Sequence, residues 1–468
     1  MTRKKVFFSA GVGLLVALGC SHPFGGTGKA EKANVAHGER EGKKKPKKGV
    51  TDPKDKVRIA PPVPPSGVPP RTSDIPPMTA DILQFGTAEI DRLGDVVVAG
   101  NAIYVAGTTG GALAGPHAGR ADSWVRKYSK NGRNLLWETQ FGSDQDDEIR
   151  ALAVDGDLLV ATGQTEGALT KGGPAVHEGD CFLVGYGPAG EELFREQFGS
   201  KNMDECIGLA IRGDAIIVSG GSLGTLDQPK HGREDVIVRR YDRGGRLVWG
   251  KQLGTPQFEE ALGLAIGASG VYLAGMTDGK WEKNLGGTDL LVVKLDFDGN
   301  VVWARQLGTS GMDCVRTIAV DETAVYIAGH TAGKMGRQAF GDGDVVTARL
   351  NEANGDIVWV DQFGTDLADS AGAIELRGNE VWVLGSVLSP GKHEAGMGSI
   401  ETVLRRLDRD GRELYTGRLG SVSDDRGLGL AVDGQHVWMV GETSGHFAGQ
   451  NHGMWDAWLG IARTADLR

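Results

Sequence analysis

Seven times over, at intervals of about 55 residues, the chain repeats one word: Gln/Arg, Phe/Leu, Gly, Thr/Ser. The copies begin at Gln84, Gln140, Gln197, Gln252, Gln306, Gln362 and Arg418. Seven residues after each start stands an acid: Asp91, Asp147, Asp204, Glu259, Asp313, Asp369 and Asp425. Twenty-three residues after each start stands a glycine, from Gly107 to Gly441. A pattern held at fixed offsets through seven copies describes one supersecondary unit stacked on itself, because such a unit buries its apolar face only against its neighbours.

The second copy shows what the unit is. Ile149–Val154 and Leu158–Thr162 alternate bulk and read as strands around the turn Asp155-Gly156-Asp157. Asp180–Tyr186 and Glu192–Phe198 read as two more around Pro188-Ala189-Gly190. Later turns carry Asn131-Gly132, Gly244-Gly245, Asp298-Gly299 and Asp410-Gly411, dipeptides suited to tight hairpins with both central residues at positive φ. Four antiparallel strands per unit and seven units predict an all-β, seven-bladed β-propeller over residues 81–468. The repeats open with a lone fourth strand, Asp81–Gly86, and close with a unit of three, ending at Asp456–Thr464. Ile82–Phe85 is therefore expected beside Asp456–Ala462, closing the ring and removing two open edges. Aromatics three residues before six of the words (Trp137, Phe194, Trp249, Trp303, Trp359, Tyr415) are expected to wedge between blades.

The chain ahead of the repeats is of another kind. Arg3, Lys4 and Lys5 precede an apolar stretch from Val6 to Gly19 that stops at Cys20, the layout of a signal peptide over residues 1–19. Val16-Ala17-Leu18-Gly19-Cys20 resembles a bacterial lipobox, which implies diacylglycerol on the Cys20 thiol, and Ser21 beside it resembles the outer-membrane-sorted case. Residues 20–80 hold Lys-, Gly- and Pro-rich runs with almost no aromatics, so a disordered tether is expected there. Residues 1–80 carry 15 Lys/Arg against 6 Asp/Glu, whereas residues 81–468 carry 36 against 55. An acidic body argues against nucleic acid as a partner, since phosphate binding needs clustered cations. No apolar run reaches the ~18 residues of a membrane-spanning helix.

The text Leu-Gly-Thr-x3-Asp, Ile-Ala-Val-Asp, Val-Tyr-Ile-Ala-Gly-x-Thr at Leu307–Thr331 resembles the bacterial SBBP (seven-bladed β-propeller) repeat, and the likeness spans residues 81–468. It implies the propeller fold and an exported bacterial setting. It brings no catalytic residues.

Candidate sites lie on the face that gathers the loops into the first strand and between the second and third. The acids seven residues into each copy are one set there; Asp122, Asp180, Asp235, Asp289, Asp344, Glu401 and Asp456, opening the third strands, are the other. Equal offsets in every copy read as structural acceptors of loop N–H groups rather than a cation site. His117, His177, His231, His330, His393, His446 and His452 are placed in the loops between second and third strands, which vary in length and make them the candidate binding residues. No His-x3-His or His-Glu-x2-His spacing occurs, so no metal or cofactor is expected. With Cys20 lipidated, three cysteines remain; Cys181, Cys206 and Cys314 are expected as buried small side chains, with a Cys181–Cys206 bond left open. Arg212-Gly213-Asp214 is a hairpin turn, and Asp296–Asn300 lacks the downstream glutamate of a calcium loop. No nucleophile elbow or supported Cys–His pair is present. The expectation is a lipid-anchored, non-enzymatic module of the outer membrane that engages a protein or glycan through its loops. A metal-assisted polysaccharide hydrolase or lyase on the same face, and a structural envelope component, are the alternatives.

Overall fold

The computed structural model describes residues 72–170, 178–388, 400–447 and 451–467. Strand-forming runs of β-branched and aromatic residues fold into seven four-stranded antiparallel sheets, each a simple meander except the last. Blade 2 is Asp147–Asp155, Leu158–Thr165, Asp180–Tyr186 and Glu192–Phe198. Blade 1 starts at Asp91, and blades 3 to 7 at Asp204, Glu259, Asp313, Ser370 and Asp425. First strands neighbour one another around the ring and so line its axis. The sandwiched second and third strands are the most buried: Asp289–Leu295 is buried at every position. The core is accordingly a series of clusters between adjacent blades, as where Leu183 of blade 2 meets Cys206 and Leu209 of blade 3.

Blade 7 closes the ring as its sequence requires. Asp425–Val432, His436–Thr443 and Asp456–Arg463 are completed by Asp81–Phe85, antiparallel, with Leu83 opposite Leu459 and Phe85 opposite Ala457. The ordered ring begins earlier than residue 81, however. Thr72–Asp74 forms a short 3-10 turn, and Ile75 is 4% exposed among Val387, Val403 and Phe363. Arg418 N donates to Pro76 O and Met78 N to Arg418 O. Residues 72–80, assigned to the tether from composition, form a strap across blade 6. Proline removes donors but leaves every carbonyl free to accept, and the strap uses them so.

Two further differences have physical causes. Cys181 and Cys206 form a disulfide, with Cα atoms 5.3 Å apart. Cys181 is on the third strand of blade 2 and Cys206 on the first strand of blade 3, both fully buried, so the bond staples one blade to the next. The outer hairpins also turn differently from expectation. In Gly244-Gly245 only Gly245 is left-handed, and Gly245 N donates to Asp242 O while Asp242 N donates to Arg246 O. This is a longer loop with one left-handed residue rather than a two-residue turn with two.

The blade-end aromatics join each sheet to the next. Trp359 Nε1 donates to Arg409 O at 2.9 Å, and its ring covers Gly411, φ +80°, of the following blade. A methyl group there would lie 2.8 Å from the ring, so glycine is required by crowding as well as by φ. Trp137, Trp249 and Trp303 repeat the bond to Pro188, Phe297 and Glu352.

Candidate functional site: the loop face

On the loop face the repeated word is a polar clamp. Gln252 Nε2 donates to Asp235 Oδ2 (3.0 Å) and Gly224 O (2.8 Å), and its Oε1 accepts from Leu226 N (3.1 Å). Asp235 also accepts from His231 N and Gly232 N, at 2.7 and 2.9 Å. The next acid, Glu259, accepts from Thr255 N, Thr255 Oγ1 and Thr277 Oγ1 at 2.7, 2.6 and 2.8 Å. Gln140, Gln197, Gln306, Gln362 and Gln84 grip Asp122, Asp180, Asp289, Asp344 and Asp456 in the same way. Asp91, Asp147, Asp204, Asp313, Asp369 and Asp425 each accept the N–H of the Thr or Ser four residues earlier. In blade 6 both partners change together. Arg418 replaces Gln and Glu401 replaces Asp, joined at 2.7 Å, and Arg418 Nε donates to Ile75 O of the strap.

All fourteen acids are buried. They meet in pairs across the blade joints, and the glycine of the word passes between them. A methyl group on Gly254 would lie 2.5 Å from Asp235 Oδ1 and 3.0 Å from Glu259 Oε2. Burial pushes the Asp369 carboxyl up to about 8, with the charge of Asp344 adding to it. Asp425 is pushed up to about 7 by burial and Glu401. Asp91, Asp147, Asp204, Asp344 and Glu401 are raised, in each case by burial foremost. The acids therefore hold loops in place.

Among the described residues, the candidate histidines lie beside their own third-strand acids, stand exposed, or sit in a strand. His117 Nε2 is 4.0 Å from Asp122, and His231 Nδ1 is 3.4 Å from Asp235. His446 and His452 are exposed, and His452 reaches Asp456 through its backbone N–H at 2.9 Å. His330 is not in a loop: the second strand of blade 5 runs Ala324–Thr331, and His330 pairs opposite Cys314. Burial and the nearby Arg316 push its imidazole down to about 4. His177 and His393 lie outside the described residues. Among the described residues no group of three or more His, Cys, Asp or Glu is placed to hold a metal ion. Nor is any helix among them long and apolar enough to cross a membrane.

Sequence reasoning missed a cluster where blades 7 and 1 meet. Arg92 and Arg426, one residue into their innermost strands, both reach Glu442, at 3.4 and 2.6 Å. The Arg426 guanidinium lies 4.6 Å over the Trp455 ring. Trp455 bridges to Ile90, and its carbonyl accepts from Asp91 N at 2.9 Å. Aligning the seven copies at the residue before each third-strand acid would have found it, since only Trp455 is aromatic there.

No family model matches the chain. It is 24% identical over 333 residues to the regulatory protein FlaEY of Caulobacter vibrioides, an alignment covering 60% of this chain and 34% of that one. The chain thus spans about a third of that relative. Among solved structures it is similar to the Neurospora crassa Pan2 WD40 domain, with 10% identity, TM-score 0.48, and 82% and 97% of the two chains covered. It is also similar to Sqt1 from Chaetomium thermophilum, with 15% identity, TM-score 0.43, and 80% and 88% covered. The phage phi92 endosialidase matches at 8% identity, TM-score 0.43, with 82% and 69% covered. The fold assignment rests on the strand pairing itself.

Proposed function

We propose that this propeller is an exported, lipid-anchored recognition module of the SBBP-repeat kind, non-enzymatic, that engages a protein through its loop face. The observation that carries the reading is the employment of the repeated polar residues. The word's Gln and Arg side chains and the acids are hydrogen bonded into the loops they support, leaving a rigid platform on which loops of unequal length are displayed. A buried disulfide between blades fits an oxidising compartment, where such bonds form and persist. The cationic, apolar leader ending at Cys20 supplies the export and anchoring signal.

Anchoring is tested by labelling cells with a radioactive fatty acid. Label should enter the chain and disappear with Cys20→Ala; equal labelling of that variant would remove the anchor. Recognition is tested by incubating the full chain, in detergent, with envelope proteins and with polysaccharides. Saturable protein binding without turnover is expected. Polysaccharide cleavage abolished by substituting loop-face histidines would replace the reading with a hydrolase or lyase.

A further inference from the structure

The joint of blades 7 and 1 departs from the other joints in ways the fold does not require. At that joint Asp91 N is held by the carbonyl of Trp455; elsewhere the same bond comes from Ala121, Gly179, Glu234, Thr288 and Gly343. Backbone alone makes the bond, and residues as small as glycine suffice. Yet here a half-buried Trp455 stands between Met454, 69% exposed, and Ile90, 36% exposed. Ile90 has bulky counterparts in Met203, Phe258 and Met312, but no other copy has an aromatic at the position of Trp455. The position of Met454 carries Arg120, Glu178, Arg233, Gly287, Asp342 and Ser399 elsewhere. An apolar pair added there marks a contact surface. The charge departs at the same place. One residue into the first strand, blades 2 to 6 carry Glu148, Glu205, Glu260, Cys314 and Ser370, whereas blades 1 and 7 carry Arg92 and Arg426. Two guanidiniums share the Glu442 carboxylate, a triad with one positive charge in excess, and the Arg92 side chain is 52% exposed.

We propose that Trp455, Met454, Ile90 and Arg92 form the docking patch of the loop face, and that its occupant is a protein segment bearing a bulky aliphatic residue beside a carboxylate. This rests on the recognition reading above and specifies its partner. The aliphatic group packs on Trp455 and its two flanks, and the carboxylate pairs with Arg92. A sugar fits less well. One Trp455 face already carries the Arg426 guanidinium, and Met454 and Ile90 offer a hydroxyl nothing to bond.

The test immobilises the full chain and applies three pools of random nonapeptides, centred on Leu-x-Asp, Leu-x-Lys or Ser-x-Asp, together with chitohexaose and maltohexaose. The Leu-x-Asp pool should be retained about tenfold over the other two. Trp455→Ala should abolish that preference while the protein still unfolds cooperatively, with only the small fall in melting temperature due to the lost Arg426 contact. Arg92→Glu should invert the preference between Asp and Lys. Equal retention of the pools, retention that survives Trp455→Ala, or oligosaccharide binding without peptide binding would overturn the proposal. Envelope-protein binding that persists in both variants would refute this patch while leaving the loop-face reading standing.

Discussion

Phenylalanine and leucine alternate in the second position of the repeated word, and the next blade decides between them. Phe85, Phe198 and Phe363 lie under the guanidiniums of Arg126, Arg239 and Arg405, at 4.8, 4.2 and 4.7 Å, each on the third strand of the following blade. Leu253, Leu307 and Leu419 face blades whose equivalent residues are Val293, Ala348 and Gly460. Phe141 is the variation, since its cation, Arg195, comes from a fourth strand. Each arginine is also held by carboxylate: Arg239 bonds both oxygens of Asp227, at 2.7 and 2.8 Å. Removing it strands a nearly buried acid, so Arg239→Ala should cost about 3 kcal/mol in urea unfolding. A double-mutant cycle with Phe198→Leu should show coupling of about 1 kcal/mol; zero coupling would mean that the stacking is incidental. The paired acids make a second prediction at this scale. Asp369 and Asp425 sit well above the value of about 4 expected in the unfolded chain. Between roughly pH 4 and 8 the folded protein therefore holds protons that the unfolded chain has released, and stability falls as pH rises across that window. Asp369→Asn should reduce the slope of melting temperature against pH between 5 and 8, whatever it does to absolute stability. An unchanged slope would place the proton elsewhere.

The outer strands begin with a bulge, and the bulged residue is aliphatic and exposed: Leu136, Leu193, Val248 and Val302 are each more than half exposed. These strands are the open edges of their sheets, and a bulge twists an edge away from pairing with another chain. Elements of this kind were largely legible in the sequence. The third and fourth strands of blade 2 were legible to the residue, because Asp180 opens the third and the Pro188-Ala189-Gly190 turn separates it from the fourth. The disulfide was not legible. Its cysteines occupy different strands of different copies, and only the way one sheet lies on the next brings residues 181 and 206 together. An odd number of thiols argued the other way. His330 was misplaced because the strand runs two residues past Gly329, until Thr331 pairs with Asp344. Closing a 25-residue loop, the disulfide should contribute about 3 kcal/mol. Cys181→Ser with Cys206→Ser should lower the melting temperature, and a reductant should then have less effect on the variant than on the parent.

At the scale of the molecule, residues 72–85 are secured to the propeller at two places, the strap on blade 6 and the fourth strand of blade 7. Ring closure was legible because the repeats begin and end out of phase. The strap was not, since a proline-rich segment reads as tether until its carbonyls are seen to accept from Arg418. The platform of the candidate site was likewise legible, as acids at fixed offsets. The patch at Trp455 was hidden, because attention to what repeats passes over the residue that does not. Everything placed on the loop face depends on the ring being closed by Asp81–Phe85. Hydrogen exchange of the native protein tests this most directly. On this edge strand the alternate amides of residues 82–85 that bond to Asp456–Arg463 should exchange as slowly as the amides of that strand, both limited by global unfolding. Fast exchange of those alternate amides in a protein whose other blades stay protected would show the ring to be open and contradict the account.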